Sequence, residues 1–141
     1  MNSVDTTHCQ YARLPSGIEH VILLDNTRQA ADGLLDFFDR YLTTLIPDPH
    51  MPPLAVLVEL RQSGMPPLAY LSRCYQDLLK LHAPKQLRAR IAYVYVGGFV
   101  MPIVTSIFRL IRNATLVERR FFPLSERAEA EAWLLEVVRK S

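Results

Sequence analysis

The stretch IAYVYVGGFVMPIVTSIF, residues 91–108, carries no formal charge and constrains the fold more than any other part of the chain. It has the length of a membrane-spanning helix, so it forms either a membrane span or the centre of a core. Gly97-Gly98 and Pro102 would interrupt a single helix. The half before them is β-branched and aromatic, whereas the half after them has helical spacing. We therefore predict a strand, a tight turn and a helix at 99–112, and no transmembrane segment.

The length and composition are those of one compact domain. The chain has 141 residues, of which 50% are hydrophobic and 21% are charged, as is typical of a globular protein with a substantial core. We predict a single domain over residues 1–141, with residues 1–9 as a poorly ordered lead. No secretory signal is visible at the N-terminus, and Cys9 and Cys74 form no CxxC motif. These features predict a cytoplasmic protein with reduced thiols.

The distribution of charge gives little support to nucleic-acid binding. The net charge is +2, and the sixteen lysines and arginines are spread along the chain. The densest groups are residues 85–90 and the pair Arg119-Arg120. A nucleic-acid interface would need a concentrated basic face with aromatic side chains for stacking. We therefore predict no nucleic-acid partner.

Strand and helix patterns alternate along the chain. Two strand-like runs flank Pro15-Ser16-Gly17, which predicts an antiparallel hairpin. Asp25, Asn26 and Thr27 then offer capping side chains to the first helix. The run LAVLVEL at Leu54–Leu60 is apolar at nearly every position, as in a parallel strand buried on both faces. The whole order, one β followed by four βα units, predicts an α/β domain built on a mixed sheet of five strands, the first of them antiparallel.

The C-terminal stretch RRFFPLSERAEAEAWLLEV places an aromatic strand just before an acidic, alanine-rich helix that contains Ala132-Trp133-Leu134. Together with the hairpin and the four βα units, this ending resembles the SpoIIAA-like proteins, also called the STAS/SEC14-like family. The resemblance covers roughly residues 11–138. It implies a single-layer sheet wound in one direction with helices mainly on one face. It also implies a regulatory or ligand-binding module rather than an enzyme.

Antagonist members of that family carry an Asp-Ser-Ser/Thr-Gly-type motif after the third strand, and its serine accepts a phosphate from a partner kinase. This chain has LRQSG at residues 60–64, so Ser63 and Gly64 are present and the acidic residue is missing. Met65-Pro66-Pro67 also intrudes before the helix. The resemblance thus gives an alternative function, an anti-sigma-antagonist-like regulator switched by phosphorylation of Ser63. The residues themselves favour a serine that closes a turn or caps a helix.

The predicted helix 99–112 has more apolar surface than one sheet can bury, because its polar strip is narrow. Either neighbouring helices cover this additional apolar surface, or part of it lines an apolar pocket or a subunit contact. The candidate ligand or partner surface consists of Phe99, Met101, Val104, Phe108 and Ile111. A second candidate site groups residues of the loops that follow the strands: Asn26, Thr27, Gln62, Ser63, Gly97 and Gly98.

No residue pattern indicates catalysis, a cofactor or a metal ion. The four histidines have no metal-binding spacing, and no nucleophile motif is present. Glu59, within the buried strand, is predicted to reach an arginine or to point outward near the strand end. The sequence therefore predicts no catalytic, cofactor-binding or metal-binding residue and no cofactor. A small enzyme of unrecognised class is the second alternative.

The function that the sequence predicts is a non-catalytic module that binds a small apolar ligand or a protein partner. Helix 99–112 and the strand-end loops would form the binding surface, and we expect a homodimer. Peripheral contact with a membrane surface is a variant of this hypothesis.

Overall fold

The computed structural model describes residues 8–46, 48, 50–61, 68–96 and 117–138. These residues form one five-stranded sheet and three α-helices. The strands are β1 Cys9–Arg13, β2 Glu19–Leu23, β3 Leu54–Leu60, β4 Ala89–Tyr95 and β5 Val117–Pro123, and the helices are α1 Arg28–Thr44, α2 Leu68–Leu81 and α3 Arg127–Val138. A 3-10 turn at Leu124–Glu126 leads from β5 into α3. The predicted α/β class is confirmed.

The strands lie in the order β1-β2-β3-β4-β5. β1 is antiparallel to β2, and each later pair is parallel. The hairpin between β1 and β2 closes at Gly17, whose φ of 97° is accessible to glycine. The Gly17 N–H donates to the Leu14 carbonyl over 2.9 Å. The mixed five-stranded sheet with its first strand antiparallel is therefore confirmed.

The chain crosses the sheet in one direction, since sequence neighbours are also sheet neighbours. Right-handed crossovers then place α1 and α2, which each connect two parallel strands, on the same face. α1 packs against β1, β2 and α2, whereas α3 packs against β3, β4 and β5 on the opposite face. Two of the three described helices thus share a face. α3 follows the last described strand and joins no two strands of the described sheet, so the crossover rule does not fix its side.

β3 is the central strand, and both of its faces are covered. Every residue from Ala55 to Leu60 is buried. Val56, Val58 and Leu60 pack toward α1 and α2, whereas Ala55 and Leu57 pack toward α3. Alternate side chains therefore enter two different cores, which explains why the run LAVLVEL is apolar without alternation. The prediction of a parallel strand buried on both faces is confirmed.

α1 approaches the sheet closely at Gly33. A Cβ built on Gly33 would lie 2.5 Å from both the Cβ and the Sγ of Cys9. Cys9, the last residue of the predicted lead, is the first residue of β1 and is completely buried. Position 33 thus requires glycine for close packing, although glycine is a poor helix former.

Substitution of Gly33 by alanine is expected to destabilise the protein. Overpacking of a core costs roughly 1–3 kcal/mol, which exceeds the roughly 1 kcal/mol that alanine gains in helix propensity. The difference should appear as a lower midpoint in equilibrium urea unfolding.

A Cys9→Gly background provides the control, because it removes both atoms that the new Cβ would meet. In that background Gly33→Ala should be neutral or stabilising. An equal loss of stability in the two backgrounds would contradict the proposed contact between α1 and β1.

Candidate functional site

The carboxyl ends of β2, β3, β4 and β5 meet at one edge of the sheet, because these strands run parallel. In open α/β sheets, ligands bind outside the carboxyl ends of the strands at a point where the strand order reverses, and the described strands contain no such reversal. The start of α3 is at the same edge, since Arg127 follows β5 after the short 3-10 turn. A site at this edge is therefore indicated by its side chains and not by the strand order.

Glu59, near the end of β3, is the centre of a buried group of charges. Its Oε1 accepts hydrogen bonds from His20 Nε2 at 3.0 Å and from Arg127 Nη1 at 3.1 Å. Its Oε2 accepts a hydrogen bond from Arg61 Nε. We refer to Glu59, His20, Arg61 and Arg127 as the Glu59 cluster. Since a carboxylate only accepts, the Nε2 atom of His20 carries the proton in this arrangement.

The local fold brings these residues together on the α3 face of the sheet. In β3, Ala55 and Leu57 point to that face, so Glu59 does too. Glu59 is in register with Ile22 of β2, which places His20 one diagonal position away on the same face. Arg127 is the first residue of α3 and is held further by Glu131, 3.0 Å from its Nε and one turn along the helix.

Burial and hydrogen bonding fix the charge states of the cluster. Burial lowers the pKa of His20, and the nearby positive charges of Arg127 and Arg61 add to this effect. Burial by itself would raise the pKa of Glu59, but hydrogen bonds from Arg61 and His20 outweigh it, and the pKa of Glu59 is lowered. At neutral pH the cluster therefore contains an ionised carboxylate, a neutral imidazole and two guanidinium groups.

The two guanidinium groups are the solvent-facing part of the cluster. The Arg61 side chain is 49% exposed and the Arg127 side chain is 35% exposed, whereas the Glu59 side chain is 7% exposed. Arg61 uses only its Nε toward Glu59, and Arg127 uses its Nε and Nη1 toward the two glutamates. The other guanidinium N–H groups of both arginines make no further hydrogen bond to the described residues. They can donate to an anion at the edge of the sheet.

Of the predicted strand-end residues, the structure describes Asn26 and Thr27. Thr27 caps α1, since its Oγ1 accepts a hydrogen bond from the Ala30 N–H at 3.2 Å. Asp25 accepts hydrogen bonds from Thr27 and approaches His8, and these hydrogen bonds lower its pKa to about 2. The predicted capping role is confirmed for Thr27.

The other predicted site residues lie outside the described residues. They are Gln62, Ser63, Gly97 and Gly98 of the strand-end loops, and Phe99, Met101, Val104, Phe108 and Ile111 of the predicted helix 99–112. The apolar ligand surface and the homodimer accordingly stay predictions.

Sequence reasoning found one member of the Glu59 cluster and missed the others. The prediction that Glu59 reaches an arginine is confirmed, with Arg61 and Arg127 as its partners. The signal was a single carboxylate in an otherwise apolar strand. The pairing with His20 was not predicted, because 39 residues separate the two positions and no local pattern connects them.

Two further findings concern the described residues as a set. They contain no group of three or more His, Cys, Asp or Glu side chains that could hold a metal ion. None of the three described helices is long and apolar enough to cross a membrane.

Comparison of the chain with protein-family models, with curated proteins and with solved structures finds no match. The resemblance to the SpoIIAA-like family therefore stays a prediction.

Acidification is expected to weaken the fold through His20. Because the folded state keeps this imidazole neutral, the unfolded chain binds a proton more readily below about pH 6.5. The stability that His20 contributes is complete at neutral pH and is lost as the pH falls below that value. In a His20→Gln protein, the decrease in urea midpoint between about pH 7.5 and about pH 5.5 should be smaller than in the wild type.

His50→Gln is the matched control, since His50 is an exposed loop residue. It should keep the wild-type dependence on pH. Identical pH dependence of wild-type and His20→Gln proteins would show that the buried imidazole does not govern acid sensitivity.

Proposed function

We propose that the protein is a non-catalytic binding module that holds an anionic group of a ligand or partner at the carboxyl edge of its sheet. The observation that carries this proposal is the attachment of two partly exposed arginines, Arg61 and Arg127, to one buried carboxylate. Guanidinium groups fixed in this way lose little conformational entropy when they bind an anion. Phosphate and carboxylate groups match their planar arrangement of donors.

The protonation states of the cluster favour binding over acid–base catalysis. A general acid or base works best with a pKa near the operating pH and with a proton or lone pair available to the substrate. The pKa values of His20 and Glu59 are both lowered, and Glu59 already accepts three hydrogen bonds. Neither group is suited to transfer a proton at neutral pH.

The charge balance of the site indicates how an anion would be held. Arg61 and Arg127 contribute two positive charges, and Glu59 and Glu131 contribute two negative charges, so the sum is zero when His20 is neutral. Long-range attraction is therefore weak. Recognition would depend on short, directional hydrogen bonds from the arginines, supported by the N-terminal dipole of α3.

Inorganic phosphate should bind at this edge in a saturable manner. In a ¹H–¹⁵N NMR titration at a constant ionic strength of about 0.15 M, the Nε–H resonances of Arg61 and Arg127 should shift together. Arg61→Lys and Arg127→Lys should each weaken the affinity by about tenfold or more, because lysine lacks the forked donors.

Arg13→Lys is a matched control for these variants. Arg13 also pairs through its Nε with a buried glutamate, Glu19, at 3.1 Å, but it belongs to β1 at the other end of the hairpin. Phosphate affinity should not change in this variant. A response that does not saturate, or an equal response to chloride at the same ionic strength, would contradict the anion site.

A second candidate function is a phosphorylation switch that acts through Ser63. Ser63 follows Arg61 by two residues in the sequence, and the resemblance to the SpoIIAA-like family suggests phosphorylation at this place. A phosphoserine near the two arginines could take the position proposed for the anion. The protein would then contain its own ligand, added by a kinase.

Protein made with phosphoserine at position 63 tests this second function. Without added phosphate, its Arg61 and Arg127 Nε–H resonances should already be at the positions seen in phosphate-saturated protein, and added phosphate should have no further effect. If the phosphorylated and unmodified proteins bind phosphate equally, Ser63 does not control the site.

A further inference from the structure

A groove with a volume of about 620 Å³ lies at the opposite edge of the sheet from the Glu59 cluster. It runs between the C-terminal half of α1 and the beginnings of β2 and β3. Its lining includes Tyr11, Glu19, Asp36, Phe37, Asp39 and Tyr41. We call it the α1 groove. Its volume is within the range of roughly 300–1,000 Å³ that is usual for small-molecule sites.

Three aromatic rings, those of Tyr11, Phe37 and Tyr41, line the α1 groove. The ring centroids of Tyr11 and Phe37 are 5.5 Å apart. Burial and the hydrogen bond to Glu19 raise the pKa of Tyr11 to about 12, and burial raises the pKa of Tyr41. Both phenols are therefore uncharged at neutral pH. Such rings present negative π-faces, which attract cations.

A buried carboxylate also lines the groove. Glu19 of β2 is 7% exposed, accepts a hydrogen bond from the Tyr11 hydroxyl and forms an ion pair with Arg13 Nε. A carboxylate offers about four lone-pair sites, so two donors leave capacity for another. The Tyr11 hydrogen bond holds this carboxylate beside the aromatic rings.

The residues that line the groove carry more carboxylates than cations. The carboxylates are those of Glu19, Asp36 and Asp39, and the lining cation is Arg40. Arg40 pairs with Asp36 at 2.7 Å, and His82 pairs with Asp39 at 2.6 Å. Three further cations border the groove: Arg13, the partner of Glu19, Lys85, whose Nζ donates to the Leu42 and Thr43 carbonyls, and Arg88, whose charge acts on Tyr41. A ligand cation would therefore be attracted by the carboxylate of Glu19 and not by a net charge of the groove.

We propose that the α1 groove binds a small organic cation, of the ammonium type. The positively charged nitrogen would lie against the rings of Tyr11, Phe37 and Tyr41 and near the carboxylate of Glu19. Aromatic faces combined with a carboxylate are suited to such a cation, whose apolar substituents also gain from contact with the rings. This site is independent of the anion site, which is at the other edge of the sheet, so either proposal can fail without the other.

Arg13 provides a further test of this proposal, because its guanidinium group already pairs with the carboxylate of Glu19. The Arg13 side chain is 69% exposed and that of Glu19 is 9% exposed, so only the arginine side of this ion pair is in contact with water. Arg13 therefore competes with a ligand cation for the same carboxylate. Its removal should strengthen ligand binding, which is an effect that a purely structural role of Glu19 would not produce.

Choline is a suitable probe, and its uncharged isostere dimethylbutanol, in which carbon replaces the nitrogen, is the matched control ligand. In a ¹H–¹⁵N NMR titration, choline should bind with millimolar affinity and shift the amide resonances of Tyr11, Phe37 and Tyr41. The affinity for the isostere should be lower than that for choline by about tenfold or more. Glu19→Gln should weaken choline binding by about tenfold, and Arg13→Gln should strengthen it by about threefold.

Arg73→Gln removes the same charge from an exposed position of α2 and should leave the affinity for choline unchanged. Both arginine variants change exposed side chains, so the test does not depend on the folding of Glu19→Gln. Equal binding of choline and its isostere would show an apolar groove without cation recognition and would overturn the proposal. It would also be overturned by a lack of saturable binding, or by equal choline affinities in the Arg13→Gln and Arg73→Gln proteins.

Discussion

The burial of β3 between two layers of helices is the constraint on which the described structure depends. α1 and α2 cover one face of the strand, and α3 covers the other. Every side chain from Ala55 to Leu60 is withdrawn from water, so each must be apolar or have its charge compensated. Glu59 is the one polar residue of this strand. A buried carboxylate without partners would cost several kcal/mol, so position 59 requires donors from its surroundings.

The compensation of Glu59 connects parts of the chain that are far apart in sequence. His20 comes from β2, Arg61 follows β3 directly, and Arg127 begins α3. The same contacts hold two partly exposed arginines at the carboxyl ends of the parallel strands. One set of hydrogen bonds therefore compensates the buried charge of Glu59 and also holds the arginines that are proposed to bind an anion. A rigid arrangement of donors is what anion binding requires.

α3 is attached to the sheet at both of its ends. Arg127 joins its start to β3, and Arg90 of β4 donates hydrogen bonds to Glu136 and to the carbonyl of Trp133 near its end. The guanidinium groups of Arg90 and Arg120 lie 4.7 and 5.4 Å from the centre of the Trp133 ring, and Leu134 is completely buried. Packing alone thus accounts for the Trp-Leu pair on which the resemblance to the SpoIIAA-like family partly rests.

The sequence by itself determined the order and type of the described elements, because hydrophobic periodicity and turn residues are local signals. The hairpin at Gly17, the doubly buried β3 and the cap at Thr27 were all predicted from short patterns. Only the tertiary structure decided the side of the sheet that α3 covers and the grouping of His20, Glu59 and Arg127. Both depend on contacts between distant residues. The crossover rule does not constrain a helix that joins no two described strands. The partners of a buried charge are set by strand register and helix position, which no local pattern records.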